Sequence, residues 1–196
     1  MSRFYPIFDD VTWLERLVPL GLQWVQLRLK DRSAAEIAVQ IAAAKTLCAR
    51  YECRLVVNDY WQEAIAQGCE WLHLGQEDLD LADRAAIKAA GVKLGISTHD
   101  EAELERALAL HPDYIALGPI WPTILKQMKW HRQGVEKLDQ WRAQIGSIPL
   151  VAIGGMTPER AVEAFAHGAD LVSAVTDITL NADPEARVRH WLEVCA

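Results

Sequence analysis

A chain of 196 residues, 51% of them hydrophobic, suits one large domain or two small ones and can bury a sizeable core. With 20 basic against 27 acidic residues it excludes general nucleic-acid binding, so any basic site must be local. No apolar run is long enough to span a bilayer, the segment from Met1 to Pro6 makes no secretion signal, and the four cysteines (Cys48, Cys53, Cys69, Cys195) lack metal-ligand spacing, which reads as a cytoplasmic protein with reduced thiols.

Two local patterns alternate along the chain. Phe4 to Phe8 is a short apolar strand, and Thr12 with Glu15 forms a capping box for the next helix. In Trp24 to Lys30, Val25, Leu27 and Leu29 share one face of a strand while Gln26, Arg28 and Lys30 share the other. Two cations on one face of an otherwise apolar strand need an anion nearby, unless that face is simply solvated. Ser33 and Glu36 cap a long helix from Ala34 to Arg50. Strands follow at Arg54–Asp59 and Trp71–Gly75, with a helix from Trp61 to Gln67 between them and one from Leu81 to Ala90 after them. Lys93 to His99 is a strand, and Asp100 caps the helix to Leu110. Tyr114 to Pro119 is the next strand, followed by a longer connection from Ile120 to Gln133 and a helix from Gly134 to Ile145. Pro149 to Ile153 runs into Gly154-Gly155; Thr157 caps and Pro158 opens the helix to His167. Leu171 to Val175 is the last strand, and Asp183-Pro184 opens a final helix to Val194.

Eight strand-then-helix units imply a parallel sheet with right-handed crossovers, and the count predicts an α/β fold: a single-domain (β/α)₈ TIM barrel over residues 1–196. The alternative, an open doubly wound sheet, lacks its GxGxxG turn.

Chemistry in such a barrel sits at the C-terminal ends of the strands, and polar residues collect there. Arg28, Lys30 and Lys126 are cations suited to phosphate oxygens; Asp59 and Asp78 are carboxylates from neighbouring strands. Carboxylates beside phosphate-binding cations usually hold Mg²⁺, so this group reads as a diphosphate–Mg²⁺ site, although each Asp alone would more often be a turn residue or cap. Gly154-Gly155 and Val175-Thr176 follow strands seven and eight, the frequent monophosphate position of these barrels. Two phosphorylated substrates suggest a transfer that expels pyrophosphate. His73 and His99 have no visible catalytic partner and read as packed or hydrogen-bonded residues.

Gln26–Lys30, Asn58-Asp59, His73–Leu79, Gly95–His99, Gly118–Thr123 and Ala152–Gly155, in order and at matching spacing, resemble the thiamine-phosphate synthase family. That resemblance implies condensation of a hydroxymethylpyrimidine diphosphate with a thiazole phosphate, carboxylated or not, to thiamine phosphate and pyrophosphate. It implies that Gln26, Leu27, Arg28, Leu29, Lys30, Asn58, Ser97 and Lys126 hold the pyrimidine diphosphate. Arg28, Lys30, Ser97 and Lys126 would be the catalytic groups, and Asp59 and Asp78 would ligate Mg²⁺. Thr123, Ile124, Leu125, Gly155, Val175 and Thr176 would hold the thiazole phosphate. The implied mechanism is dissociative and needs no general base on the nucleophile, which fits the missing triad.

Three departures fall on the thiazole-phosphate side. Leu125 replaces a hydroxyl-bearing residue, Asp177 stands where a small residue is usual and would repel a phosphate, and Met128–Arg132 makes a basic, bulky loop. Two alternatives remain: a tautomerase-like barrel acting on the thiazole phosphate alone, which should not need Arg28, Lys30, Asn58, Asp59 and Asp78 together, and a non-catalytic relative that binds a phosphorylated ligand, which Leu125 and Asp177 favour. The expected partners are small-molecule substrates, with no nucleic acid and no membrane; the oligomeric state, a homo-oligomer included, stays open.

Overall fold

The local signals of capping and alternation produce the expected elements. A computed structural model describes residues 2–123 and 131–196. Its strands are β1 (Ile7–Phe8), β2 (Trp24–Leu27), β3 (Arg54–Asn58), β4 (Trp71–Leu74), β5 (Lys93–Thr98), β6 (Tyr114–Leu117), β7 (Leu150–Ile153) and β8 (Leu171–Ser173). The helices are α1 (Val11–Leu17), α2 (Ala34–Arg50), α3 (Trp61–Ala66), α4 (Gln76–Leu81), α5 (Arg84–Ala89), α6 (Glu101–Leu108), α7 (Glu136–Ile145), α8 (Pro158–Ala166), α9 (Thr176–Thr179) and α10 (Pro184–Val194).

Ser33 caps α2 as read: its hydroxyl accepts from Glu36 N while Ser33 N donates to Glu36 Oε2 at 2.8 Å. Asp100, Thr157 and Asp183 likewise cap α6, α8 and α10. The first helix corrects the expectation at Thr12. Asp10 is the cap, accepting from both the Thr12 amide and its hydroxyl, because the extended backbone at Asp10 aims a carboxylate at the first free amide. The expected helix from Leu81 to Ala90 starts later, as α5 at Arg84, and α4 from Gln76 to Leu81 precedes it as a helix that was not expected. The chain is extended at Ala82 and Asp83, and Asp83 then caps α5. The strands are also shorter than read at several ends, the second stopping at Leu27 and the last at Ser173.

All eight strands are parallel and pair in sequence order. The ring closes between β8 and the residues before β1: Phe4 bridges Val172, Tyr5 N donates to Val172 O at 2.9 Å, and Ile7 N donates to Ala174 O at 3.0 Å. This is the predicted (β/α)₈ barrel.

Alternation divides the packing into two layers. Val25, Leu27, Leu72, Ile96, Ile115 and Leu150 point outward and pack under the helices in the main core. Inside the barrel, Tyr5, Val56, Tyr114, Ala116 and Val151 form a second cluster, closed from below by Trp24, Trp71 and Leu171. Above that floor the interior turns polar, with Gln26, Asn58, His73 and Ser173 buried. Among the described residues, no helix is long and apolar enough to cross a membrane.

Candidate active site

Polar side chains meet where the strands end, at the mouth above the barrel floor. The β2 extension carries Lys30 to Asp59, just past β3, with Lys30 Nζ 2.5 Å from Asp59 Oδ2. Asp59 itself takes a positive φ of 65°, an uncommon conformation for a non-glycine residue and one that concentrates at functional sites. Its amide donates to His73 O on the neighbouring strand at 3.0 Å, which locks the turn against β4.

Asp78, in the first turn of α4, faces Asp59. Burial, then the Asp59 charge and a hydrogen bond with it, push the Asp78 carboxyl above its ordinary range, with Lys30 partly opposing them. Two carboxylates in contact, with one ammonium bonded to Asp59, are short of positive charge, which is the electrostatic condition for a bound cation. Among the described residues no cluster of three or more His, Cys, Asp or Glu side chains forms a full metal cage. The pair therefore fits Mg²⁺, which commonly takes one or two carboxylates and completes its shell with waters and substrate phosphates. Arg28 lies on the same side of β2, close enough to His73 for its charge to act on that ring.

A second row lies just below. His73 is buried, with Nδ1 2.8 Å from Tyr114 Oη and Nε2 2.8 Å from Ser97 Oγ. Tyr114 Oη lies 2.8 Å from Tyr5 Oη, and Gln26 Nε2 donates to Tyr5 Oη at 2.7 Å. Burial lowers the His73 pKa to about 4, so the ring is neutral at physiological pH. Gln76 Nε2 donates to Ser97 O at 2.7 Å, while Gln76 Oε1 is buried without a hydrogen-bond partner. His73 is thus hydrogen-bonded, as expected, but its tyrosine partner was not anticipated. The signal was available: Tyr5, His73 and Tyr114 have the inward parity that was read for Gln26.

Across the mouth, Thr123, Gly154, Gly155, Ser173, Val175 and Thr176 line one small cavity of about 40 Å³. Gly155, at φ 60°, packs so tightly that a Cβ there would overlap Pro122 O and stand 2.8 Å from Trp121 Cβ, so only glycine lets these segments meet. The buried Ser173 hydroxyl, without a partner, belongs to the lining. A larger cavity of about 320 Å³ opens at the opposite end of the barrel, between Trp24, Trp71 and Tyr114. Its lining is mostly apolar, so the chemistry belongs with the charged groups at the mouth.

The expected residues therefore gather in two halves. Gln26, Arg28, Lys30, Asn58, Asp59, Asp78 and Ser97 belong to one, and Thr123, Gly155, Val175 and Thr176 to the other. Leu27 and Leu29 are buried in the outer core, so they can offer the mouth only backbone. Ile124, Leu125 and Lys126 lie outside the described residues, as does the loop segment from Met128 to Trp130. His99 bonds Glu103 through Nδ1 at 2.7 Å. Asp177 does not present the free charge that the sequence suggests. Its Oδ2 accepts from Arg187 Nε at 2.7 Å and Trp191 Nε1 at 2.8 Å, and its Oδ1 accepts from Arg187 Nη2 at 2.8 Å. α10 therefore neutralises it.

Residues 5–178 match the family model described as thiamine monophosphate synthase. The chain is 59% identical to thiamine-phosphate synthase of Rhizobium etli, over 100% of this chain and 96% of that one. It is 44% identical to the enzyme of that name from Escherichia coli K12, over 98% and 92% of the two chains. Among solved structures, thiamine phosphate pyrophosphorylase from Pyrococcus furiosus superposes with a TM-score of 0.87 at 22% identity, over 99% of this chain and 95% of that one. The 3-hexulose-6-phosphate synthase of Salmonella typhimurium shares the fold at a TM-score of 0.69 and 15% identity, over 100% and 98% of the two chains. The chain belongs to the thiamine-phosphate synthase family and is a transferase of that type.

Proposed function

We propose that this chain, acting as one catalytic domain, joins 4-amino-2-methyl-5-hydroxymethylpyrimidine diphosphate to 4-methyl-5-(2-phosphoethyl)thiazole, carboxylated or not, and releases pyrophosphate, with the carboxylated form also losing its carboxylate as CO2. The observation that carries the reading is the convergence of Arg28, Lys30, Asp59 and Asp78 on one side of the mouth, opposite a glycine-lined cavity of about 40 Å³ on the other. Arg28, Lys30 and Lys126 hold the departing diphosphate and stabilise its growing charge as the C–O bond breaks. Ser97 adds a hydroxyl to the same group, while Gln26 and Asn58 orient the pyrimidine. Asp59 and Asp78 would hold Mg²⁺, which when bound would add positive charge at the diphosphate. Thr123, Gly155, Val175 and Thr176, with Ile124 and Leu125, hold the thiazole phosphate so that its ring nitrogen faces the pyrimidine methylene carbon. The nitrogen lone pair forms the new bond, so no protein base is needed.

The four free, buried cysteines support work in a reducing compartment, the cytoplasm. The decisive experiment incubates the purified chain with both substrates and Mg²⁺ and assays thiamine phosphate and pyrophosphate together. Equal yields of the two support the reading. Absence of thiamine phosphate at saturating substrate overturns it. Asp59→Ala should lose the Mg²⁺-dependent turnover while keeping the fold, and unchanged turnover would remove the metal assignment.

A further inference from the structure

Five side chains from five strands or strand entries form one unbroken hydrogen-bonded chain across the barrel floor. In order it runs Gln26 Nε2, Tyr5 Oη, Tyr114 Oη, His73 Nδ1, then from His73 Nε2 to Ser97 Oγ, with separations of 2.7, 2.8, 2.8 and 2.8 Å. Gln26, Tyr5, Tyr114 and His73 are all buried, so each of their polar hydrogens needs an acceptor within this set.

That requirement gives the chain a direction. Gln26 Nε2 has only hydrogens to offer, so Tyr5 Oη accepts from it. The Tyr5 hydrogen has Tyr114 Oη as its acceptor within reach, and the opposite order would leave it buried without one. Having accepted from Tyr5, Tyr114 sends its own hydrogen to His73 Nδ1. A neutral imidazole carries one hydrogen, which must then sit on Nε2 and go to Ser97 Oγ. Ser97 Oγ is occupied from below, so its own hydrogen is left for the mouth.

We propose that Tyr114 is a positioning residue for the transfer reaction. By fixing His73 in the Nε2-protonated tautomer, it makes Ser97 an acceptor from His73 and a donor to the departing diphosphate. The inference rests on reading the mouth as a diphosphate site. An independent feature supports it: Gly95, paired in register with Tyr114, lies where any Cβ would overlap the Tyr114 ring. The barrel thus gives up a side chain on β5, two residues before Ser97, to let this ring reach His73. Gln76 holds the Ser97 carbonyl at the same place.

Two measurements test the inference. The first is the ¹⁵N spectrum of histidine-labelled, ligand-free chain at neutral pH, with His73 assigned by its loss in His73→Gln. The expected result is a protonated, pyrrole-type Nε2 and an unprotonated, pyridine-type Nδ1. A protonated Nδ1 reverses the chain and overturns the proposal. The second is Tyr114→Phe, which keeps the ring and removes the donor. It should lower kcat by about tenfold, the loss of one ordinary hydrogen bond's worth of orientation, with both KM values within about twofold, and should mix the His73 tautomers. An unchanged kcat, or a change confined to KM, overturns it. If Tyr114→Phe fails to fold, the spectrum of the unaltered chain decides alone. If the unaltered chain makes no thiamine phosphate, the proposed function fails, and the tautomer is still read without substrate.

Discussion

The Tyr114 ring occupies the space in which a Cβ on Gly95 would stand. The two residues are paired in register on adjacent strands, and the ring crosses the lumen between them and His73, stacking on the imidazole at 5.5 Å between centroids. Overfilling a packed interior costs about 1–3 kcal/mol. Gly95→Ala should therefore destabilise the fold by that order and lower the urea midpoint. Combining it with Tyr114→Ala should cost less than the sum of the two single losses, as expected for residues in contact. Urea melts of the four proteins measure the coupling, and strict additivity would contradict the contact.

Asp78 should trade stability for function. Its carboxyl titrates above the ordinary range in the fold, so between the unfolded and folded values the native state binds more protons than the unfolded one. Stability then falls as pH rises through that window. Asp78→Asn removes that loss. The metal-free variant should melt higher than the parent at pH 7, and the gain should vanish below the ordinary carboxylate pKa. Turnover with Mg²⁺ should be lost at the same time. Thermal melts across pH, with an activity assay beside them, check both halves; a lower melting temperature at pH 7 contradicts the first.

Arg187 keeps Asp177 from acting as a free charge beside Val175 and Thr176. Hydrogen bonds to charged groups contribute about 1.5–3 kcal/mol, and Arg187 makes two to this carboxylate. Arg187→Met should destabilise the fold by that order and raise the KM for the thiazole phosphate more than that for the pyrimidine diphosphate. Adding Asp177→Asn should recover most of the KM. Steady-state kinetics with each substrate varied would show the asymmetry, and an equal rise in both constants would contradict it.

Thr98 and Trp141 form a buried polar pair under the helix layer. Trp141 Nε1 donates to Thr98 Oγ1 at 2.8 Å, and Thr98 Oγ1 donates to Ala116 O at 3.0 Å. Thr98→Val keeps the shape and leaves the indole N–H buried without an acceptor, a loss of about 1–3 kcal/mol. Chemical denaturation followed by tryptophan fluorescence reads the change. A variant as stable as the parent would mean that the indole finds another partner.

The sequence by itself determined the eight βα units, most of the helix caps and the ring of polar residues at the strand ends. These depend on period and on contacts within a few positions, as at Ser33 and Glu36. The same local reading erred where a competing local donor or acceptor was available, taking Thr12 as a cap although Asp10 was better placed. It also missed the short helix from Gln76 to Leu81 and began the next one three residues early, ahead of its cap at Asp83.

Only the tertiary structure decided who faces whom inside the barrel. Tyr114 and His73 are separated by 41 residues and Tyr5 and Tyr114 by 109, yet closure of β8 onto the first strand brings their hydroxyls and ring nitrogen into one line. Alternation tells that each points inward; it does not tell which inward side chains share a level, because that depends on strand stagger around the ring. For the same reason the charge at Asp177 looked repulsive in the sequence and is neutralised in the fold. Its partner Arg187 is ten positions on, and reaches it because α10 packs back against α9.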